Sequence, residues 1–326
     1  MAFHDIPGQE PVKAQLQTSL RNGTLTHAYI FEGLKGTGRA KMALTLAQAA
    51  HCLEKTDDAC GDCIECRKIA NGNHPDVIWV DPDEATIKIE HVRGLQKMLS
   101  YRALSTLPRF YIIVGAQRLT LQAGNALLTM LEEPSAFTIA VLLTENGQAL
   151  LSTIRSRSQK LLFLPILPAA MLATLREEGL PDPIVRAAVC LAPGLETARE
   201  LALAPWFAET RNAMLQLIQT ANQGFSSVLL AIPPMLARSE ISEHLDTVFD
   251  FFALWSKDMI YRQYQQFDRM VFTDHADMQA TRAHVKPLQY WVRVMEEAMR
   301  SKQNLRRNAN PQLVLERFFI VLQEGR

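Results

Sequence analysis

The segment Gly33-Leu34-Lys35-Gly36-Thr37-Gly38-Arg39-Ala40 constrains this chain more than any other. It follows the apolar run Ala28-Tyr29-Ile30-Phe31 and precedes an Ala/Leu-rich stretch opening near Lys41. Strand, glycine-rich turn and helix in that order are the setting of a phosphate-binding P-loop, G-x-x-x-x-G-K-[ST]. Gly33 and Gly38 have the required spacing. Arg39 stands where the pattern has Lys, and Ala40 where it has the Ser/Thr whose hydroxyl holds Mg²⁺. Backbone N–H groups at a helix N-terminus still favour an anion, and Arg39 is still cationic. Two readings therefore stand: a degenerate site that binds ATP or ADP through Gly33, Gly36, Thr37, Gly38 and Arg39, or an empty loop kept for the fold.

The surrounding sequence predicts the rest of an α/β module. Helical patterns at 12–22, 41–53, 92–99 and 122–133 alternate with short apolar runs at 77–80, 109–114, 139–144 and 161–163. Such alternation predicts a parallel sheet with helices on both faces. A P-loop ATPase also needs a carboxylate after a neighbouring strand to hold Mg²⁺ and orient water. The strand 109–114 runs on into Val114-Gly115-Ala116-Gln117, which contains no acid. With Arg39, Ala40, Val114 and Gly115, four chemically essential positions are lost, and no intrinsic ATPase is expected.

After residue 165 the pattern changes. Prolines at 165, 168, 181, 183, 193 and 205 punctuate short helical pieces, and beyond Trp206 only helical patterns occur. They include 206–222, 241–266, 286–302 and a last helix opened by Asn310-Pro311, a good N-cap and N1 pair. A chain of 326 residues exceeds one ordinary core. The expected division is an α/β domain over 1–165, a small helical lid over 166–205 and an all-helical domain over 206–326. An apolar fraction of 48% with 21% charged residues is that of a soluble globular protein. The 34 basic residues match 34 acidic ones, which argues against a protein that grips DNA by itself. No membrane span or secretion leader is visible, so a cytoplasmic, reducing setting is expected.

Cys52, Cys60, Cys63 and Cys66 form a C-x₇-C-x₂-C-x₂-C set. This spacing fits the tetrahedral S₄ ligation of a structural Zn²⁺, with no open position for catalysis. Reduced thiols in a flexible insert and an iron–sulfur cluster are the alternatives. Cys190, in AAVCLA, reads as a core residue. Past the fourth strand, Thr153-Ile154-Arg155-Ser156-Arg157-Ser158 places two arginines at the domain edge. They read either as a solvated basic turn or as an arginine finger reaching a neighbour's nucleotide.

Several segments together resemble the clamp-loader branch of the AAA+ proteins. They are Phe3-x-Asp5-Ile6-Pro7-Gly8-Gln9, His27-Ala28-Tyr29-Ile30-Phe31-x-Gly33, Asn125-Ala126-Leu127-Leu128-x-x-Leu131-Glu132-Glu133-Pro134 and Thr153-Ile154-x-Ser156-Arg157. The Cys insertion, His74-Pro75-Asp76, Ile87-x-Ile89-Glu90-x-Val92-Arg93 and Asn308-x-Asn310-Pro311-x-Leu313-x-Leu315-Glu316 fit the same group. Lacking the P-loop Lys and Thr and the Asp-Glu pair of its ATPases, the chain is most similar to the delta-prime class of the bacterial DNA polymerase III clamp loader. The resemblance implies a stator without hydrolysis, in a hetero-oligomeric ring with the gamma/tau ATPases and delta. That ring would load the sliding clamp onto primed DNA as part of the DNA-directed DNA polymerase (nucleotidyltransferase) holoenzyme, and the C-terminal helices would form its collar. It further implies that Arg157, supported by Ser156, is a finger in trans; Ser158 departs from the family's Cys, and Thr197 stands where its ATPases have Arg. An active AAA+ motor is the competing reading, and a zinc-dependent nucleic-acid module is the third.

Overall fold

Alternation along the central strands sets the layers. In β1 (Ala28–Glu32), Tyr29 and Phe31 enter one apolar cluster while Ala28 and Ile30 enter another. A strand buried on both faces needs cover on both, and the intervening helices supply it. The computed structural model describes residues 2–82, 84–100, 107–133, 137–283 and 286–323.

In chain order the first part contains α1 (Glu10–Arg21), β1, α2 (Arg39–His51), α3 (Ile64–Ala70), β2 (Val77–Val80) and α4 (Ile89–Ser100). It continues with β3 (Arg109–Val114), α5 (Leu121–Glu132), β4 (Thr138–Thr144), α6 (Ser152–Ser156) and β5 (Gln159–Leu162). The five strands are parallel in the order β2-β3-β4-β1-β5. Val12, Leu16, Met42, Leu46 and Ile69 cover the face that carries Tyr29, Phe110 and Val141. Val92, Leu95, Leu127, Leu131 and Ile154 cover the face that carries Ile30, Tyr111 and Leu142. This is the α/β P-loop architecture expected from the sequence, with the glycine loop between β1 and α2. The helix α5 ends at Glu132, and Pro134 lies outside the described residues.

The remaining helices are α7 (Pro168–Glu177), α8 (Asp182–Leu191), α9 (Leu195–Leu203), α10 (Pro205–Ala221), α11 (Phe225–Leu236), α12 (Ser239–Ser242) and α13 (Leu245–Gln263), followed by α14 (Ala276–Ala283), α15 (Leu288–Arg306) and α16 (Pro311–Gln323). Two compact units result: Met1–Ala170 with Pro193–Glu196, and Met171–Ala192 with Thr197–Arg326. The second unit is all-helical around Phe207, Phe249, Phe251, Phe252, Trp255 and Phe318. Asp258, fully buried there, accepts the Val271 and Phe272 N–H groups and so fixes the turn after α13. Asn310 caps α16 as its sequence predicts, its Oδ1 accepting the Leu313 N–H at 3.2 Å.

Three local differences from the sequence reading have physical causes. The run 241–266 divides into α12 and α13 around His244, whose ring stacks on Trp206 at 3.7 Å between centroids. The fifth strand is 159–162 rather than 161–163, and the Phe163 N–H still donates to the Glu32 carbonyl at 2.7 Å. The cysteine insertion contains α3, whose N-cap is Cys63.

Gly33 has a packing role that the motif alone hides. A Cβ there would collide with the Phe163 carbonyl oxygen and lie 2.8 Å from Phe163 Cβ. The neighbour is backbone beside the β1–β5 ladder and has little room to yield. Gly33→Ala is expected to destabilise the α/β unit by about 1–3 kcal/mol, the usual cost of overpacking. Hydrogen exchange should show earlier opening of β1 and β5, with the helical unit unchanged.

Candidate functional site

The glycine loop is shaped by protein contacts on every side. Gly36 and Gly38 both sit at φ 89°, which a side chain rarely tolerates. Buried Thr37 turns its hydroxyl inward, donating to the Leu34 carbonyl at 2.8 Å. Gln9, itself at φ 62°, donates its amide N–H to the Thr37 and Leu164 carbonyls at 3.1 and 2.6 Å. Its Oε1 accepts the Leu164 N–H at 3.2 Å. From the other side Gly194 packs so close to Gly36 that any side chain at 194 would overlap the Gly36 carbonyl.

The loop opens onto a cavity of about 430 Å³ lined by Lys35, Arg39 and Arg118 and by Asp81, Glu145 and Glu196. Its charge is balanced by the protein's own carboxylates. Arg39, at the start of α2, lies 3.7 Å from Glu145. Burial lowers the Arg39 pKa, and the Glu145 charge opposes that shift. Lys41, one residue beyond the Ser/Thr position, pairs with Glu196 at 2.8 Å.

The end of β3 explains why no acid stands there. Gly115 adopts φ 68°, and a Cβ on it would strike the Arg118 guanidinium. Arg118 is held in place by Asp81 at 3.1 Å and by the Val114, Pro82 and Glu84 carbonyls at 3.0, 3.1 and 3.0 Å. A carboxylate at 115 would strain the backbone and displace a fixed cation. Thr144, at the end of β4, is fully buried and its hydroxyl donates to the Asn146 carbonyl at 3.1 Å.

Arg157, the C-cap of α6, does not line this cavity. Its Nη1 donates to the Thr153 carbonyl at 3.3 Å, and its Nη2 lies 2.9 Å from Glu132 Oε1. The Ser156 hydroxyl donates to the same Thr153 carbonyl at 3.0 Å. Ser158 packs its hydroxyl on the Ile154 carbonyl at 2.9 Å, a place a small residue fills.

The four cysteines converge. Their sulfurs all lie within 4.8 Å of one another, and the group could hold a metal ion. Four sulfurs ~2.3 Å from one ion are ~3.8 Å apart in a tetrahedron; Cys60 Sγ and Cys66 Sγ are 3.9 Å apart. Backbone N–H groups of Cys60, Cys63 and Cys66 donate to the sulfurs of Cys52, Cys60 and Cys63 at 3.4, 3.2 and 3.5 Å. These donors favour thiolate. At Cys63 burial raises the pKa, but the Leu53 and Cys66 N–H groups outweigh it and bring the value to about 7. Cys66 is pushed up to about 12 by burial, so a bound cation would have to hold it ionised.

A buried polar chain ties this insertion to the base of the sheet. His74 Nε2 lies 2.9 Å from Glu65 Oε2, between Cys63 and Cys66 in sequence. The Asp76 N–H donates to His74 Nδ1 at 3.1 Å, and Asp76 pairs with Arg109 at 3.2 Å. Arg109 in turn donates to the Leu99 and Met98 carbonyls at 2.8 and 3.1 Å, at the C-terminus of α4. His51, His74 and Asp76 form a second buried group of metal-ligand type. Both ring nitrogens of His74 are engaged and Asp76 is paired, so these two form a latch; His51 bonds the Ala47 carbonyl through Nδ1, and its buried Nε2 has no hydrogen-bond partner among the described residues. Sequence reading missed this latch, the Gln9 staple and the pairing of Arg39 and Lys41. The His-Pro-Asp and Pro-Gly-Gln strings were the available signals.

The sequence model of the family described as DNA polymerase III, delta subunit, matches residues 8–166. DNA polymerase III subunit delta' of Bacillus subtilis is 33% identical over 318 residues, covering 97% of this chain and 97% of that protein. The chain belongs to the DNA polymerase III delta-prime family. The tau subunit of the same organism is 32% identical over 176 residues, covering 54% of this chain and 31% of that subunit. A solved DNA polymerase III gamma subunit-related protein from Thermotoga maritima aligns over 97% of this chain and 98% of its own, at 18% identity and a TM-score of 0.42.

In this delta-prime family member the cysteine site and its latch make a direct prediction. Cobalt(II) titration should give thiolate-to-metal absorption that Cys63→Ser abolishes. His74→Ala should keep the band but weaken affinity by about 10-fold or more, the usual effect of losing support behind the ligands. Equal affinity for His74→Ala and the unaltered chain would separate the latch from the metal site.

Proposed function

We propose that this chain is the stator of a clamp-loader ring: it hydrolyses no ATP itself and offers Arg157 in trans to the nucleotide of a neighbouring ATPase subunit. The observation that carries the reading is the contrast within one domain. The glycine loop faces Glu145 and Glu196 and has no acid after β3, while Arg157 remains on an exposed edge. Phosphoryl transfer needs positive charge and Mg²⁺ ligands around the phosphates, and this loop offers neither in excess. A guanidinium that is 41% exposed in its side chain can be presented to another chain.

The partners follow from the relatives. Subunits named tau and tau/gamma match about half of this chain, so gamma/tau ATPases are expected ring neighbours, and the family resemblance adds delta. The sliding clamp and primed DNA would be met through the assembled complex. Residues 1–165 would act as the AAA+ domain, 166–205 as its lid and 206–326 as the collar. Zn²⁺ is the metal that best fits four thiolates in a closed set, in a structural role. The loop residues Gly33, Gly36, Thr37, Gly38 and Arg39 serve as scaffold rather than as an ATP or ADP site. Among the described residues no helix is long and apolar enough to cross a membrane; a subunit that acts on DNA in this way would work in the cytoplasm.

Three assays test this. The isolated chain should show no ATPase above background. The double substitution Arg39→Lys with Ala40→Thr should still show none, because no acid follows β3. In the reconstituted ring, Arg157→Ala should leave assembly intact and sharply lower the DNA- and clamp-stimulated rate; fingers of this kind contribute on the order of 10³–10⁵ at the site they serve. An unchanged rate would remove the finger role.

A further inference from the structure

Glu132 is placed against its own helix. It is the last residue of α5, where the helix dipole disfavours a carboxylate, and the last turn of α5 contains no basic residue to offset it. Its partner comes from another helix: Arg157 Nη2 at 2.9 Å. The two helices are packed without slack. A Cβ on Gly124 of α5 would lie 2.9 Å from Leu151 Cδ1, just before α6, and Ile154 of α6 is buried in the core that holds Leu127 and Leu131. Such packing fixes the backbone positions from which Glu132 and Arg157 extend.

We propose that Glu132 is a positioning residue for the Arg157 finger: with the Thr153 carbonyl, it fixes the guanidinium plane before a neighbouring subunit arrives. This rests on the finger reading above. The Thr153 carbonyl takes Nη1 and Glu132 takes Nη2, so the long side chain is held at two points. A guanidinium has five N–H donors in a rigid fork, so others remain for a phosphate. The pair is open to solvent, with Arg157 and Glu132 side chains 41% and 44% exposed, and exposed pairs add little to stability. Its value lies in order. An Arg free to rotate must be immobilised when it engages the phosphate, and one already held has less freedom to lose.

The test is the stimulated ATPase of the reconstituted ring with four variants of this subunit. Glu132→Ala should lower kcat by roughly two- to tenfold, the range expected for ordering one long side chain at the moment of engagement. KM for ATP, ring assembly and the melting temperature should stay unchanged. Glu132→Gln, which keeps an acceptor oxygen, should recover part of the loss. The pair Glu132→Ala with Arg157→Ala should be no slower than Arg157→Ala alone. If Arg157→Ala has no effect, the finger reading itself fails. If Arg157→Ala slows the ring but Glu132→Ala leaves kcat unchanged, only the positioning role is overturned. A faster ring with Glu132→Ala would overturn it too, by showing that the carboxylate restrains the finger.

Discussion

The shape of the glycine loop is held by protein atoms on both sides, and the site follows from that. Gln9 binds the Thr37 carbonyl and both backbone groups of Leu164, joining the loop to the chain that leaves β5. Gly194 presses on Gly36 from the other side, and Gly33 gives way to Phe163. A loop built to close around phosphate leaves its N–H groups to be satisfied by the ligand. Here Thr37 bonds inward and the cations at the start of α2 are paired with Glu145 and Glu196. Protein contacts on both sides thus define the form of the loop.

The fold was largely legible because its determinants are local. Short continuous apolar runs as strands, glycine spacing and the Asn310-Pro311 cap each act within a few residues, and each has its counterpart in the structure. The cysteine convergence was legible for the same reason: C-x₂-C-x₂-C forces three sulfurs into one tight loop. The pairings that give the site its character were hidden. Glu145 and Glu196 reach Arg39 and Lys41 from distant positions, and no spacing rule connects them. Helix α3 inside the insertion was missed because its seven residues are too few to show a period. The break at His244 was missed because its ring packs on Trp206, a contact that apolar periodicity does not record.

The two ends of the sheet also divide labour in a way that chemistry explains. At the amino-terminal ends of β2 and β3, His74, Asp76 and Arg109 form a buried chain from the cysteine insertion to the end of α4. Burial pushes the His51 pKa down beside them, favouring its neutral form. A charged pair in such a place is costly unless fully bonded. Arg109 meets this by donating to two helix-end carbonyls as well as facing Asp76, which makes the insertion part of the domain rather than an appended loop.

The backbone at the end of β3 resists an acid at position 115. Regaining an acid at 115 would need a side chain at φ 68° and the release of Arg118 from four partners. Arg118 released there would line the cavity as an unpaired cation, altering the charge balance with Asp81. The α5–α6 edge that carries Arg157 is not bound by this constraint. Its residues sit on helices packed through Gly124 and Leu151, with partners separate from those of the loop. The loop and the Arg157 edge are therefore held by separate sets of contacts.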